Sequence, residues 1–290
     1  MLHIITIAAL ILAAVPAAVY LLAIIFTHAS GVQDLFDREV RELLRKQGAA
    51  AAGRLTESEL ASLPPVVRRY LESNGFADSE KIEIARVIYN GEISLKAGGK
   101  FMKIRCEQYN SAKLLTRIWY GRIPIAPFVN IEGLHRYVNG KASMLIKFGP
   151  LTIADVSGPK MDQTDTITFF NDMFLFMPSA IINPYSRWRE VDEHSAEVTY
   201  TLGNITARAL LRFNDRGELV DFVTDDRYML EGKSFVKRRW STPVIEYARL
   251  NGRNWVVNGS AVWKSEEGDY EYFKINDKNM VRKFNGDVTR

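Results

Sequence analysis

The chain has 290 residues, of which 47% are hydrophobic and 25% charged, and its net charge is +4. This is the composition of a folded protein, not a disordered one, and the charge is too small for this length to argue for a nucleic-acid partner. A single cysteine, Cys106, excludes an intrachain disulfide and any multi-cysteine zinc site.

No Asp, Glu, Lys or Arg occurs between Met1 and Gln33, and Leu2 to Phe26 is almost wholly apolar. As a helix that run is about 37 Å long at ~1.5 Å per residue, enough to cross a ~30 Å hydrocarbon core with some tilt. Pro16 would break a soluble helix but is tolerated in a membrane one. Thr27-His28-Ala29 offers the small residues of a signal-peptide cleavage site. Against cleavage stand an n-region without Lys or Arg and an apolar run longer than a usual h-region. The expectation is a single-pass transmembrane anchor over residues 1–30. Arg38, Arg41, Arg45 and Lys46 lie just downstream, so loop charge favours the cytoplasmic side for the remainder of the chain. A cleaved signal would put it outside.

Val32, Leu35, Phe36, Val40, Leu43 and Leu44 fall at helical spacing with charges between them, which reads as a juxtamembrane amphipathic helix. With a small-residue linker at Ala49–Gly53, it fills residues 31–55. Thr56-Glu57-Ser58-Glu59 matches a capping box and opens a helix. Pro64-Pro65 interrupts that helix, and Asn74-Gly75 ends it. From Ile82 the pattern changes to period two. Candidate strands are 82–95, 100–109, 114–120, 134–139, 143–148, 150–156, 195–202, 205–213, 218–229, 234–241, 254–264 and 269–276. Short turns between them imply an antiparallel meander, interrupted by one helical segment at about 166–182.

One hairpin can be followed in detail. With Asn214–Gly217 as its turn, Phe213 faces Glu218, Leu211 faces Val220, Ala209 faces Phe222 and Ile205 faces Asp226. On this register Asp225 and Asp226 point to opposite sides of the sheet, and Asp226 is a carboxylate on the apolar, core-side face.

Several segments resemble a known family. Leu63-Pro64-Pro65-Val66-Val67-Arg68-Arg69-Tyr70-Leu71 is followed by Phe170-Asn171-Asp172-Met173, then by Trp188-Arg189-Glu190-Val191-Asp192. Pro178-Ser179-Ala180, Phe213-Asn214-Asp215-Arg216-Gly217-Glu218-Leu219, Asp225-Asp226-Arg227-Tyr228 and Trp240-Ser241-Thr242-Pro243 are the other members of the set. Over about residues 62–281 the chain resembles an uncharacterised bacterial family, a domain of unknown function often carried behind a membrane helix. The resemblance implies membership but no activity. More loosely, a helix followed by a long curved sheet looks like the half-barrel of bacterial lipoprotein carriers, which is an analogy of fold only.

Nucleotide-binding, hydrolase-elbow and zinc-protease motifs are absent from the sequence. His135 and His194 lie far apart, so no metal site is expected, and nothing calls for a cofactor. Three features remain. Asp226, with Arg227 and Tyr228, is either a functional carboxylate in a concave sheet or a residue that fixes strand register. The segment around Asn171, Asp172 and Phe174 is either a lid over a β cavity or a core helix that plugs it. Lys237-Arg238-Arg239 with Arg249 and Arg253 is either a lipid-facing patch or a solvated face. Trp240 is most simply a core or interface aromatic.

The predicted fold is therefore mainly β (α+β). It is a large curved antiparallel sheet or half-barrel over residues 56–290, with an N-terminal helix and one inserted helix, behind a transmembrane helix. The expected role is binding of an apolar or amphipathic, lipid-like ligand at Asp226, Arg227, Tyr228, Asn171, Asp172, Phe174 and Trp240. The alternatives are an acid–base enzyme using Asp226 and Asp172 on a membrane-derived substrate, and a non-catalytic scaffold. The membrane is the expected partner, and the sequence does not specify an oligomeric state.

Overall fold

The computed structural model describes residues 14, 17–22, 24–26, 29–48, 53–127, 129–232, 234–266 and 268–289. Most of Leu2–Phe26, where the membrane anchor is expected, falls outside them. Among the described residues no helix is long and apolar enough to cross a membrane.

Helix α1, Val32–Gln47, has Asp34 in its first turn and Arg45 and Lys46 in its last, the charge order that favours a helix dipole. Its apolar stripe is Val32, Phe36, Val40 and Leu43, all buried. Helix α2, Glu57–Ala61, carries the expected capping box: Glu59 N–H donates to Thr56 Oγ1 at 3.3 Å, and Thr56 N–H donates to Glu59 Oε2 at 2.9 Å. Helix α3, Pro65–Ser73, begins with Pro at its first position, where no N–H is needed.

The strands β1 Ile84–Ile93, β2 Met102–Ser111, β3 Thr116–Ala126, β4 Val129–Val138, β5 Lys141–Phe148 and β6 Leu151–Ser157 form an antiparallel meander. Helix α4, Pro159–Phe176, and a 3-10 turn at Pro178–Ile181 come next. A second set comprises β7 Ser186–Asp192, β8 Ser195–Leu202, β9 Ile205–Phe213, β10 Leu219–Glu231, β11 Ser234–Ser241, β12 Val244–Leu250, β13 Arg253–Lys264, β14 Tyr270–Asn276 and β15 Val281–Phe284. All fifteen strands join one sheet in the order β6-β5-β4-β3-β2-β1-β14-β13-β11-β10-β9-β8-β7, with β12 on β13 and β15 on β1. The two sets meet where β1 pairs with β14 and with β15.

Helix α4 touches β4, β5 and β6 from one end of this order, β9 and β10 from the other, and β13 from the middle. A flat sheet cannot bring those strands to one helix, so the sheet curls around α4 as a half-barrel. The main core lies between them, with Tyr70, Tyr137, Phe169, Phe170, Phe174 and Phe222 fully buried. On the convex side α1 packs over Ile84, Ile118, Tyr120 and Leu134. The apolar face of α1 is therefore taken up by the sheet and is not offered to a bilayer.

Helix α4 starts earlier than the expected 166–182 and ends before the 3-10 turn. It is buried all round, with Asp162, Asp165, Asn171 and Asp172 inside, so it plugs the concave face. Strands β7, β12 and β15 were not expected from the period-two pattern. β7 is an edge strand, charged at four of its seven positions and largely exposed, so it has no alternation to show.

Candidate functional site

The site lies between α4 and the concave face. Helix α4 is fixed there at its N-terminal turn, where Asp162 Oδ1 accepts from Ala142 N–H at 2.8 Å and Oδ2 from Lys141 Nζ at 2.9 Å. On its other side Gln163 Nε2 donates to Asp226 O at 2.6 Å, and Thr164 Oγ1 accepts from Tyr228 N–H at 3.1 Å.

These bonds reach the chain where it departs from the expected hairpin. A bulge near Val220 pairs Leu211 with Phe222, and a second shifts the register between Thr224↔Trp240 and Arg227↔Arg238. A bulge places two residues against one and reverses the facing of the residues beyond it. Phe222 and Thr224 are buried, and the next buried residue is Arg227, not Asp226. The expectation of a core-side Asp226 is thus corrected. Its Oδ1 accepts from Lys237 Nζ at 2.7 Å and its Oδ2 from Arg208 N–H at 2.9 Å, away from the cavity. Of the residues read as a lipid-facing patch or a solvated face, Lys237 pairs with Asp226, Arg238 with Glu231 and Arg239 with Asp225, which fits a solvated face.

A cavity of about 200 Å³ opens beside α4. Its apolar wall includes Ile93, Leu175, Phe176, Val244, Phe273 and Ile275. Its polar lining includes Gln108, Arg117, His135, Asn171, Asp172, Arg227 and Tyr272. Of the residues anticipated from the sequence, Asn171, Asp172, Arg227 and Trp240 meet here. Phe174 instead fills the core among Tyr70, Phe170 and Phe222. Tyr228 lies under the Lys160 ammonium, 5.5 Å from its ring centroid.

The polar side is a buried network. Arg117 Nε donates to Asp172 Oδ2 at 2.7 Å, and Gln108 Nε2 donates to the same oxygen at 2.6 Å. Trp119 Nε1 donates to Tyr89 OH at 3.0 Å, and Asn171 Oδ1 accepts from Thr242 Oγ1 at 2.8 Å. Gly121 makes room for Trp119, because a Cβ there would sit 2.3 Å from the indole. Burial works against the Arg117 charge, but Asp172 and Asp165 outweigh it and hold the guanidinium above its ordinary value. Burial alone would raise the Asp165 carboxyl; His135, with Arg117 and Arg227, holds it below the ordinary range. His135 Nδ1 lies 3.7 Å from Asp165 Oδ2, beyond hydrogen-bond reach.

Arg227 donates from Nη1 to Tyr272 OH at 3.0 Å, and Trp240 Nε1 donates to the same hydroxyl at 3.2 Å. Its guanidinium lies over the rings of Trp240 and Trp263, 4.0 and 5.0 Å from their centroids. Arg117 Nη1, Arg227 Nε and both Asp165 carboxylate oxygens are buried without a hydrogen-bond partner. Such groups are costly unless something polar reaches them. Cys106 is buried nearby, and burial pushes its thiol up, so it is a structural residue here.

Arg117, His135, Gln108 and Tyr272 were not anticipated. Inward parity carries their signal: Gln108 alternates with Cys106 and Asn110, and Arg117 with Trp119. That parity is masked in β3 because Ile118 and Tyr120 face α1, leaving both faces apolar.

By its architecture the molecule is a helix-plugged antiparallel half-barrel with a small, charged internal cavity. The chain belongs to the family of unknown function DUF6544, whose match spans residues 53–275. No curated protein matches it. Among solved structures it is similar to a LolA superfamily protein from Nitrosomonas europaea, at 11% identity and a TM-score of 0.39, covering 74% of this chain and 92% of that one.

Proposed function

We propose that this protein is a membrane-tethered binding domain whose internal cavity holds an amphipathic ligand. The observation that carries this reading is the division of the cavity: an apolar wall faces buried Arg117 and Arg227, each with an unbonded N–H. Binding sites of this kind combine apolar lining with a few placed polar groups. The volume limits the ligand. About 200 Å³ is below the ~300–1,000 Å³ usual for small-molecule sites. A single short chain, or the head end of a longer one, fits without movement of α4; a diacyl lipid does not.

The tether is the apolar Leu2–Phe26 run. Its described part leaves Val19, Leu21, Leu22 and Ile25 exposed. The Phe26 ring packs on Phe148, 5.1 Å between centroids, at the tip of the β5–β6 hairpin. Exposed Ile125, Leu151 and Ile153 lie at the same end of the sheet, as an apolar rim beside the bilayer. Loop charge after the segment favours the cytoplasmic side for the domain.

The acid–base reading needs Asp226 and Asp172 to converge, and Asp226 is instead bonded outside the cavity that Asp172 lines. Native mass spectrometry of the extracted full chain tests the binding reading. A co-purified amphiphile of constant mass is expected, and repeated extraction without any ligand in several membrane backgrounds would sink it. Fusion reporters on the C-terminus test the membrane side.

A further inference from the structure

Arg227 is a buried cation without an ion-pair partner of its own. It is only 7% exposed, and among the described residues no carboxylate lies within ion-pair distance of it. The nearest carboxylates are bonded elsewhere or too far for a direct pair: Asp165 feels the Arg227 charge through space but makes no hydrogen bond or ion pair with it. Arg117 is matched by Asp172 at 2.7 Å, and Asp165 faces His135 at 3.7 Å. The direct contacts of the Arg227 guanidinium are neutral: the Tyr272 hydroxyl and the faces of Trp240 and Trp263. Aromatic faces attract a cation but do not cancel its charge. A buried, unpaired guanidinium is a strongly unfavourable group, and its Nε–H lacks any acceptor. The bulge after Thr224 is what turns this residue inward in place of Asp226, so a register shift in the sheet puts a cation into the cavity.

We infer that the polar end of the cavity is an oxyanion site, in which Arg227 receives the carboxylate or phosphate head of the ligand. The inference rests on the amphipathic-binding reading above and names its head-group class. Nε of Arg227 supplies one donor, and Nη1 of Arg117, also buried and unbonded and on a second lining residue, supplies another. Two guanidinium groups suit planar or tetrahedral oxyanions. The apolar wall at Phe273 and Ile275 takes the attached chain.

The test is calorimetric titration of the full chain in phosphatidylcholine nanodiscs, against empty discs, with hexanoate, hexyl phosphate, hexanol and inorganic phosphate. The two anionic amphiphiles are expected to bind at least about tenfold tighter than hexanol, as a charge-assisted hydrogen bond predicts. Arg227→Gln removes that ratio while hexanol still binds, and Arg227→Lys retains part of it. Equal affinity for hexanoate and hexanol in the unaltered protein overturns the oxyanion site and leaves the binding reading standing. Binding of none of the four overturns both. Inorganic phosphate that competes as well as hexyl phosphate supports the oxyanion site, identifies a free anion as its occupant and overturns the amphipathic reading. If Arg227→Gln fails to fold, the ratio in the unaltered protein and in Arg227→Lys still decides the matter.

Discussion

Helices α1 and α4 cover opposite faces of one sheet, and they do so by different physics. Helix α1 meets the convex face with a single apolar stripe and leaves its other side wet. Helix α4 has no wet side: it lies inside the curl, where Asp162, Asp165, Asn171 and Asp172 are buried with its phenylalanines. Amphipathic periodicity reports a helix that has water on one side. A helix surrounded by protein shows no such stripe, and its polar residues are then explained only by what they meet across space.

This contrast can be broken from the inside first. Asp172→Ala strips the buried Arg117 of its counter-charge and is expected to cost about 4 kcal/mol of unfolding free energy, the range for breaking a buried pair. Chemical denaturation measures it. The double replacement Arg117→Met with Asp172→Leu should recover most of that loss, because the cost lies in the unpaired charge. If the double variant is no more stable than the single one, the network stabilises the fold directly.

On the outside the corresponding lesion is apolar. Phe36 stacks on Tyr120 at 5.3 Å and contacts Tyr109 at 6.0 Å, both between centroids. Phe36→Ala should cost about 3 kcal/mol through lost burial and the cavity left behind, with hexanoate affinity unchanged. A loss of affinity in that variant would show that the two faces are coupled through the sheet.

Acid separates the faces again. The Asp165 carboxyl titrates below its ordinary value in the folded chain, since the opposing burial is outweighed by His135, Arg117 and Arg227. A depressed carboxyl adds stability that is fully present above its unfolded pKa of about 3.9 and is lost as pH falls through the lower folded value. Melting temperature should therefore fall less steeply below about pH 4 in Asp165→Asn than in the parent. Parallel acid limbs would show that Asp165 contributes nothing to the acid sensitivity.

Strands β1, β2, β5 and β6 and the Asn139-Gly140 turn are legible from alternation and turn residues, but the expected strands stop at 120 and resume at 134, whereas β3 runs to Ala126 and β4 starts at Val129. Strand β15 has only four residues, and β12 has no buried position along its seven, so neither offers an alternating run. The site is legible only in part. Asn171 and Asp172 stand out as polar breaks in an apolar helix. Arg117 does not, because the residues flanking it in β3 are apolar toward both α1 and α4, and a strand covered on both faces loses its period. The two bulges in β10 are invisible for another reason. Counting outward from a turn assumes one residue per step, and a bulge inserts two against one.

The smallest expected effect belongs to the residue that the uninterrupted register would have put at the centre. Asp226 closes an ion pair with Lys237, whose side chain is half exposed, and accepts one backbone N–H from β9. Solvent screening reduces such a pair to a fraction of a kcal/mol, and the backbone hydrogen bond adds about 1 kcal/mol at most. Asp226→Ala should thus cost about 1 kcal/mol and leave hexanoate binding within about twofold of the parent. The same removal of a carboxylate at Asp172, in the FNDM stretch of the inner helix, is expected to cost several times as much. If Asp226→Ala instead abolishes binding, the bulge is not a passive irregularity but is held open by Asp226, and the inward turn of Arg227 depends on the carboxylate that it displaced.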